Sequence, residues 1–192
     1  MKVAVNMRLP NGAEKTLVYG AKHVADAYTK AKEDHPTWDV IAVAAAGGGG
    51  REMNGKKYEL LQDQTTEWRG RTLYRICALR DFGNVHAGDV GGYIECEHNL
   101  SQGGNAWVYG NAQVYGDAQV YGDARVYGDA QVFGNARVYG NAWVYDNAWV
   151  YGNALVYDNT LVCGDALVYD NARVCGDAWV CGNAWVCGDA DG

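Results

Sequence analysis

The chain has 192 residues and a net charge of −7, with 26 Gly, only 2 Pro, and fourteen Tyr and seven Trp beside two Phe. That length makes one domain or two small ones, and no apolar run is long enough to span a bilayer. Residues 1–104 balance thirteen Lys/Arg against thirteen Asp/Glu, whereas 105–192 hold three Arg and ten Asp, so the acidic half lacks the basic side chains that direct nucleic-acid binding needs.

The start, "MKVAVNMRLPNG", has no apolar signal region, which predicts a soluble, cytoplasmic protein. The six cysteines, Cys77, Cys96, Cys163, Cys175, Cys181 and Cys187, form no CxxC pair, so they are expected as reduced thiols rather than zinc ligands. Tyr and Trp tolerate a wet edge better than Phe does, so the aromatic bias points to a surface.

Residues 1–46 read as a small α+β domain of order ββαβ. "KVAVNMRL" and "EKTLVYG" flank Pro10-Asn11-Gly12, a hairpin signal. "AKHVADAYTKAKEDH" places Val24, Ala27, Tyr28 and Ala31 on one helical face, and Pro36 ends it. "WDVIAVAAA" reads as a buried strand. The Gly-rich stretch within 47–56 predicts a flexible linker. Residues 57–104 read as strands and turns forming a β-rich cap, because the terminal unit of a repeat array must shield core and strand edges. "GNVHAGDVGG" lacks the spacing of a phosphate loop and is read as turn chemistry.

Residues 105–192 repeat A-x-V-Y-G-[N/D], with fourteen Val spaced six apart from Val108 to Val186 and Thr160 the one exception among the Ala positions. A strand period of two sends Ala and Val to one side, x and Tyr to the other. Gly followed by Asn or Asp then turns a corner, since these types tolerate left-handed backbone. Hexads are a β-helix signature, and three sides make an eighteen-residue coil. Stacked at eighteen, no corner Asp lies on another; at six, twelve or twenty-four, like charges would stack. The fold predicted is mainly β, a three-sided parallel β-helix of about five coils behind the small α+β domain.

These hexads resemble the left-handed β-helix superfamily of LpxA-like acyltransferases. The stretch "LRDFGNVHAGDVGGYIECEHNLSQGGNAWVYGNA" (79–112) is similar to the lead-in segment of YdcK-like hexapeptide-repeat proteins. The resemblance covers about 57–190 of the sequence and implies fold rather than activity, since the superfamily also includes γ-class carbonic anhydrases and members with no assigned activity.

Three flat faces follow. Trp107, Arg125, Trp143, Leu161 and Trp179 line the first; Gln113, Gln131, Trp149, Leu167 and Trp185 the second; Gln119, Arg137, Leu155, Arg173 and Asp191 the third. The late coils of two faces are apolar, and monomers rarely expose such a patch. An oligomer interface, making a dimer or trimer, is therefore expected from Trp107, Trp143, Trp149, Leu161, Leu167, Trp179 and Trp185 with Tyr145, Tyr151 and Tyr169. The closing "CGDADG" carries no capping helix, so tail-to-tail stacking of coil ends is also expected.

Acyltransfer in the superfamily uses a His base. No His lies in 105–192, leaving His86 and His98 as the catalytic candidates. Carbonic anhydrase chemistry would need three His zinc ligands. Cys163 and Cys181, eighteen apart, read as a soft-metal or redox pair or as small replacements for Tyr, the second being simpler because two ligands make a poor zinc site. Asp146, Asp158 and Asp170 replace the corner Gly and are the candidate calcium positions, with backbone corner chemistry the simpler account. Exposed aromatic rows suit sugars or nucleotides as well as an interface.

The function expected is a non-enzymatic scaffold that self-associates, needs no cofactor, and presents an N-terminal module to an unidentified protein or small-molecule partner. A short repeat array joined to an unrelated small module resembles proteins common in phage and prophage-rich genomes, and by that analogy binding of a host component is expected. The alternatives are an acyltransferase, and an acidic decoy that blocks a nucleic-acid-binding partner.

Overall fold

A computed structural model describes residues 2–21, 24–46 and 56–188. The chain divides into two compact units, residues 1–61 with 76–90 and residues 62–75 with 91–192. The linker expected over 47–56 falls, save Lys56, outside the described residues.

In the first unit, β1 (Lys2–Arg8), β2 (Glu14–Gly20) and β3 (Asp39–Ala46) form an antiparallel sheet in the order β2-β1-β3, with α1 (Val24–Asp34) packed against it. Alternation along β1 buries Val3, Val5 and Met7 and exposes Lys2, Asn6 and Arg8. At the hairpin only Gly12 takes a left-handed conformation, φ 84°, and Asn11 Oδ1 instead accepts from Ala13 N at 3.1 Å. Ala27 and Ala31 are fully buried on α1, their small side chains letting the helix lie close to the sheet. The same core takes in Leu61, Cys77, Leu79 and Ala87. The ββαβ module therefore shares its interior with parts of the segment read as a cap.

That segment holds β4 (Tyr58–Trp68) and β5 (Arg71–Ala78), joined by Arg69 and Gly70 at φ 50° and 77°, the signature of a type I′ turn. β6 (Val90–Ile94) and a single 3₁₀ turn (Glu97–Asn99) follow.

In the second unit each hexad gives a short strand at x-Val, and hexads eighteen residues apart pair in parallel. Trp107, Arg125, Trp143, Leu161 and Trp179 form one column. Gln113, Gln131, Trp149, Leu167 and Trp185 form the second, and Gln119, Arg137, Leu155 and Arg173 the third. Fourteen such strands, three to a turn, make a mainly β, parallel solenoid of about five turns. Each coil donates to the next: Trp107 N to Ala124 O at 3.1 Å, Tyr109 N to Val126 O at 2.8 Å.

Val fills the bore, at most 1% exposed at every step from Val108 to Val168. Thr160, the break in the Ala row, is fully buried and donates its hydroxyl to Tyr157 O at 2.6 Å, so the extra polar atom is satisfied. At the corners Gly140 shows why the repeat wants glycine: φ is 69°, and a Cβ there would stand 2.8 Å from Asp158 N.

The chain before the hexads completes the first coil. Tyr93 and Ile94 pair in parallel with Gln113 and Val114, and Leu100 bridges Val120. Asn99 is fully buried; its Nδ2 donates to Gly116 O and Ala118 O, both at 2.9 Å, and its Oδ1 accepts from Cys96 N. Glu95 Oε2 accepts from Gly116 N at 2.7 Å while Arg71 Nη1 reaches both its carboxylate oxygens at 2.8 Å. Gly92 of "GNVHAGDVGG" is more than turn chemistry: a Cβ there would lie 2.6 Å from Ala112 O, so glycine is needed for close approach to the coil.

Candidate functional site

Exposure rises along the outer faces. On the first column Trp107 is 1% exposed, Arg125 half-buried, Trp143 38% exposed, Leu161 half-buried and Trp179 77% exposed. On the second, Gln131 is buried, Trp149 and Leu167 are half-buried, and Trp185 is 71% exposed. On the third, Arg137 and Arg173 are exposed around half-buried Leu155; Asp191 lies outside the described residues.

Trp107 corrects the expectation that every Trp of the array offers its ring to a partner. An indole reaches 1% exposure only when other segments of its own chain lie over it, so Trp107 is a core residue. The second column is likewise covered early. Trp68 Nε1 donates to Tyr115 OH at 3.0 Å, and Tyr115 OH to Gln131 Oε1 at 3.2 Å, which places the β4–β5 tip over the first coils of that face.

The Tyr rows stack on themselves. Tyr115, Phe133, Tyr151 and Tyr169 form a ladder with ring centroids 5.0, 4.9 and 5.2 Å apart, and Tyr121, Tyr139 and Tyr157 another at 4.8 and 5.0 Å. Tyr145 stacks on Tyr127 at 5.0 Å. Tyr145, Tyr151 and Tyr169 are therefore half-buried ladder members, with edges rather than faces toward solvent. Burial pushes the Tyr127 phenol above its ordinary range, with Tyr145 and Asp146 adding to the shift and Arg125 opposing it.

The columns end in cysteine where the rings stop, and here the reading of reduced thiols is corrected for one pair. Cys163 and Cys181 are joined in a disulfide, their Cα atoms 4.5 Å apart. Parallel stacking at eighteen residues brings the two Cα atoms within the span a disulfide needs, which the view of both as inert replacements for Tyr missed. Cys77, Cys96, Cys175 and Cys187 take no part in it.

The histidines fall in different units. His86 is exposed, its ring Nδ1 3.8 Å from Asp89 Oδ2. His98 is exposed in a cleft of about 480 Å³ with Glu97, Ser101, Gln102, Gln119 and Tyr121, its Nε2 2.8 Å from Gln119 Nε2. With the amide donating, that ring nitrogen is an occupied acceptor, an arrangement that holds the imidazole in place.

Asp146, Asp158 and Asp170 have φ of 58°, 61° and 56°, the left-handed conformation of the Gly they replace. Asp146 Oδ2 accepts from Gly164 N at 3.1 Å and Asp158 Oδ2 from Gly176 N at 3.0 Å. Twelve residues apart, the three stand on three different corners and cannot converge on one ion. Among the described residues no group of three or more His, Cys, Asp or Glu could hold a metal, and no helix is long and apolar enough to cross a membrane.

One device had no sequence-level reading beyond charge avoidance. Corner Asn side chains donate to the corner one coil on: Asn135 to Asn153 and Asn153 to Asn171, at 2.9 and 3.0 Å, and Asn141 to Asn159 and Asn159 to Asp177, at 3.0 and 2.9 Å. Asn147 donates likewise to Asp165, and Asn111 to Asp129. The [N/D] alternation was the signal for it.

Residues 118–132, 130–146, 148–164 and 166–182 match the YdcK beta solenoid repeat. The match falls on the hexads, not on the lead-in segment 79–112, and leaves the N-terminal unit unmatched. No curated protein matches the chain.

Proposed function

We propose that this chain, whose residues 118–146, 148–164 and 166–182 match the YdcK beta solenoid repeat, is a non-enzymatic scaffold that pairs with a second copy of itself through the late coils of its first two faces. The N-terminal unit then serves as the partner-facing part, in keeping with phage-borne adaptors that bind a host component. The observation that carries the pairing is the exposure of Trp179 and Trp185, at 77% and 71%.

With Leu161, Leu167 and Trp149 beside them, these indoles present several hundred Å² of apolar surface. A standard interface buries about 800 Å² per partner, with an apolar aromatic centre and a polar rim. Burying the patch is worth on the order of 10 kcal/mol before association costs. The corner carboxylates flank it without a continuous acidic strip, because Asn alternates with Asp in the ladders; a decoy for a basic partner would want that strip.

Light scattering on the intact protein tests the reading. The wild type is expected as a dimer or larger, and Trp179→Glu/Trp185→Glu as a monomer that still melts cooperatively, at a lower and concentration-independent temperature. A double variant that stays associated overturns pairing through these faces. Thermal stabilisation of the wild type by an acyl-coenzyme A would favour the acyltransferase alternative, with His98 as the base to substitute first.

A further inference from the structure

Away from Trp179 and Trp185, Trp143 stands between two clefts on the first face. One, of about 270 Å³, is walled by Tyr109, Arg125, Tyr127 and Trp143. The other, of about 230 Å³, is lined by Asn141, Trp143, Asn159 and Leu161. Each has room for a single six-membered ring, and the shared indole makes them neighbours.

Their chemistry differs. In the first, Tyr109 meets Tyr127 edge to face at 6.4 Å and Tyr127 meets Trp143 likewise at 6.1 Å, while the Arg125 guanidinium lies 5.2 Å over the Trp143 ring. Among the described residues Arg125 forms no ion pair. The corner carboxylates on either side are engaged elsewhere: Asp123 accepts from Asn105 Nδ2 at 2.8 Å and Asp129 from Asn111 Nδ2 at 3.3 Å. The natural complement of a guanidinium without an ion-pair partner is a carboxylate.

In the second cleft the amide ladder supplies the polar groups. Asn141 Nδ2 donates to Asn159 Oδ1, but the residue one coil earlier in its column is Asp123, an acceptor only. Asn141 Oδ1 therefore receives no donor from the ladder, and Asn141 and Trp143 line the same cleft. An amide oxygen with an adjacent aromatic platform is suited to a hydroxyl-bearing ring whose C–H face packs on the indole.

We propose that the Trp143 strip is a binding site for an acidic oligosaccharide, with a carboxylate-bearing sugar in the Arg125 cleft and a neutral sugar in the Asn141 cleft. Charge complementarity selects the first sugar; the amide and the shared indole select the second. The second cleft shares Leu161 with the pairing surface, so the titration below is repeated on the Trp179→Glu/Trp185→Glu variant, which reads sugar binding apart from self-association.

¹H–¹⁵N NMR titration of the intact protein tests this, with the disaccharide of glucuronate and N-acetylglucosamine as probe and cellobiose and benzoate as comparisons. The acidic disaccharide is expected to shift the Trp143 indole and the Asn141 amide together. Arg125→Gln is expected to weaken it about tenfold and to leave cellobiose unchanged; Trp143→Phe weakens both sugars. Thermal melts of the variants confirm folding. The proposal is overturned if the acidic disaccharide moves neither signal, if Arg125→Gln leaves its affinity unchanged, if cellobiose binds the wild type equally well, or if benzoate binds as tightly, which would mark a site for aromatic acids.

Discussion

Asn159 shows how much a single corner residue decides. It accepts from Asn141 and donates to Asp177 at 2.9 Å. Asn159→Asp would remove the donor and set one carboxylate over another at the spacing of neighbouring strands, about 4.8 Å. We expect a loss of about 1–2 kcal/mol, diminished by salt. Adding Asp177→Asn should recover most of it, because an amide again faces the carboxylate; thermal melts of the two single variants and the double variant measure the coupling. Glu59 is a second residue-scale case. Burial raises its pKa from 4.5 to about 7, with Lys56 opposing. A folded-state pKa above the unfolded one means ionisation favours unfolding. Its contribution is thus full below pH 4.5 and is lost as pH rises through about 7. Glu59→Gln should flatten the fall in melting temperature across that window, and an unchanged slope would show that another group sets it.

At the scale of elements, the solenoid is a stack of short strands that are individually too small to persist, so neighbouring coils stabilise one another. The Cys163–Cys181 bridge ties two successive coils across eighteen residues. Closing a loop of that length is worth about 3 kcal/mol in the chain-entropy account. Reduction, or Cys163→Ser with Cys181→Ser, should therefore lower the melting temperature and loosen the late coils first, as amide exchange over 161–181 would report. Alkylation without reductant followed by mass measurement should label no more than four of the six cysteines. The aromatic ladders are the counterpart in the earlier coils. Their rings stack about 5 Å apart because the coil rise and the thickness of offset rings nearly agree.

For the whole molecule, the division of the chain matters more than the apparent boundary in its sequence. The unit that contains β1 to β3 also contains 57–61 and 76–90, and Leu61, Cys77, Leu79 and Ala87 lie in its core. A fragment beginning at residue 57 would expose that apolar surface. We expect it to aggregate or to bind an apolar dye strongly, while the intact chain does not. A soluble, dye-negative fragment with the native melting temperature would mean the core residues are satisfied without the N-terminal strands.

The sequence alone determined the coil. A strict period of six, with Ala and Val alternating against larger residues, sends the small side chains to one side, and of the intervals six, twelve, eighteen and twenty-four only eighteen keeps Asp off Asp. The β1–β2 hairpin and α1 were legible for the same reason: their signals are local. Tertiary structure alone decided the fate of residues whose surroundings come from elsewhere in the chain. Trp107 and Trp179 occupy equivalent positions in their hexads, yet one is buried and the other open. Asn99 and Glu95 look like loop residues until the first coil presents the backbone groups of Gly116 and Ala118 to them. Periodicity records which way a side chain points, and only the folded chain settles what it meets there.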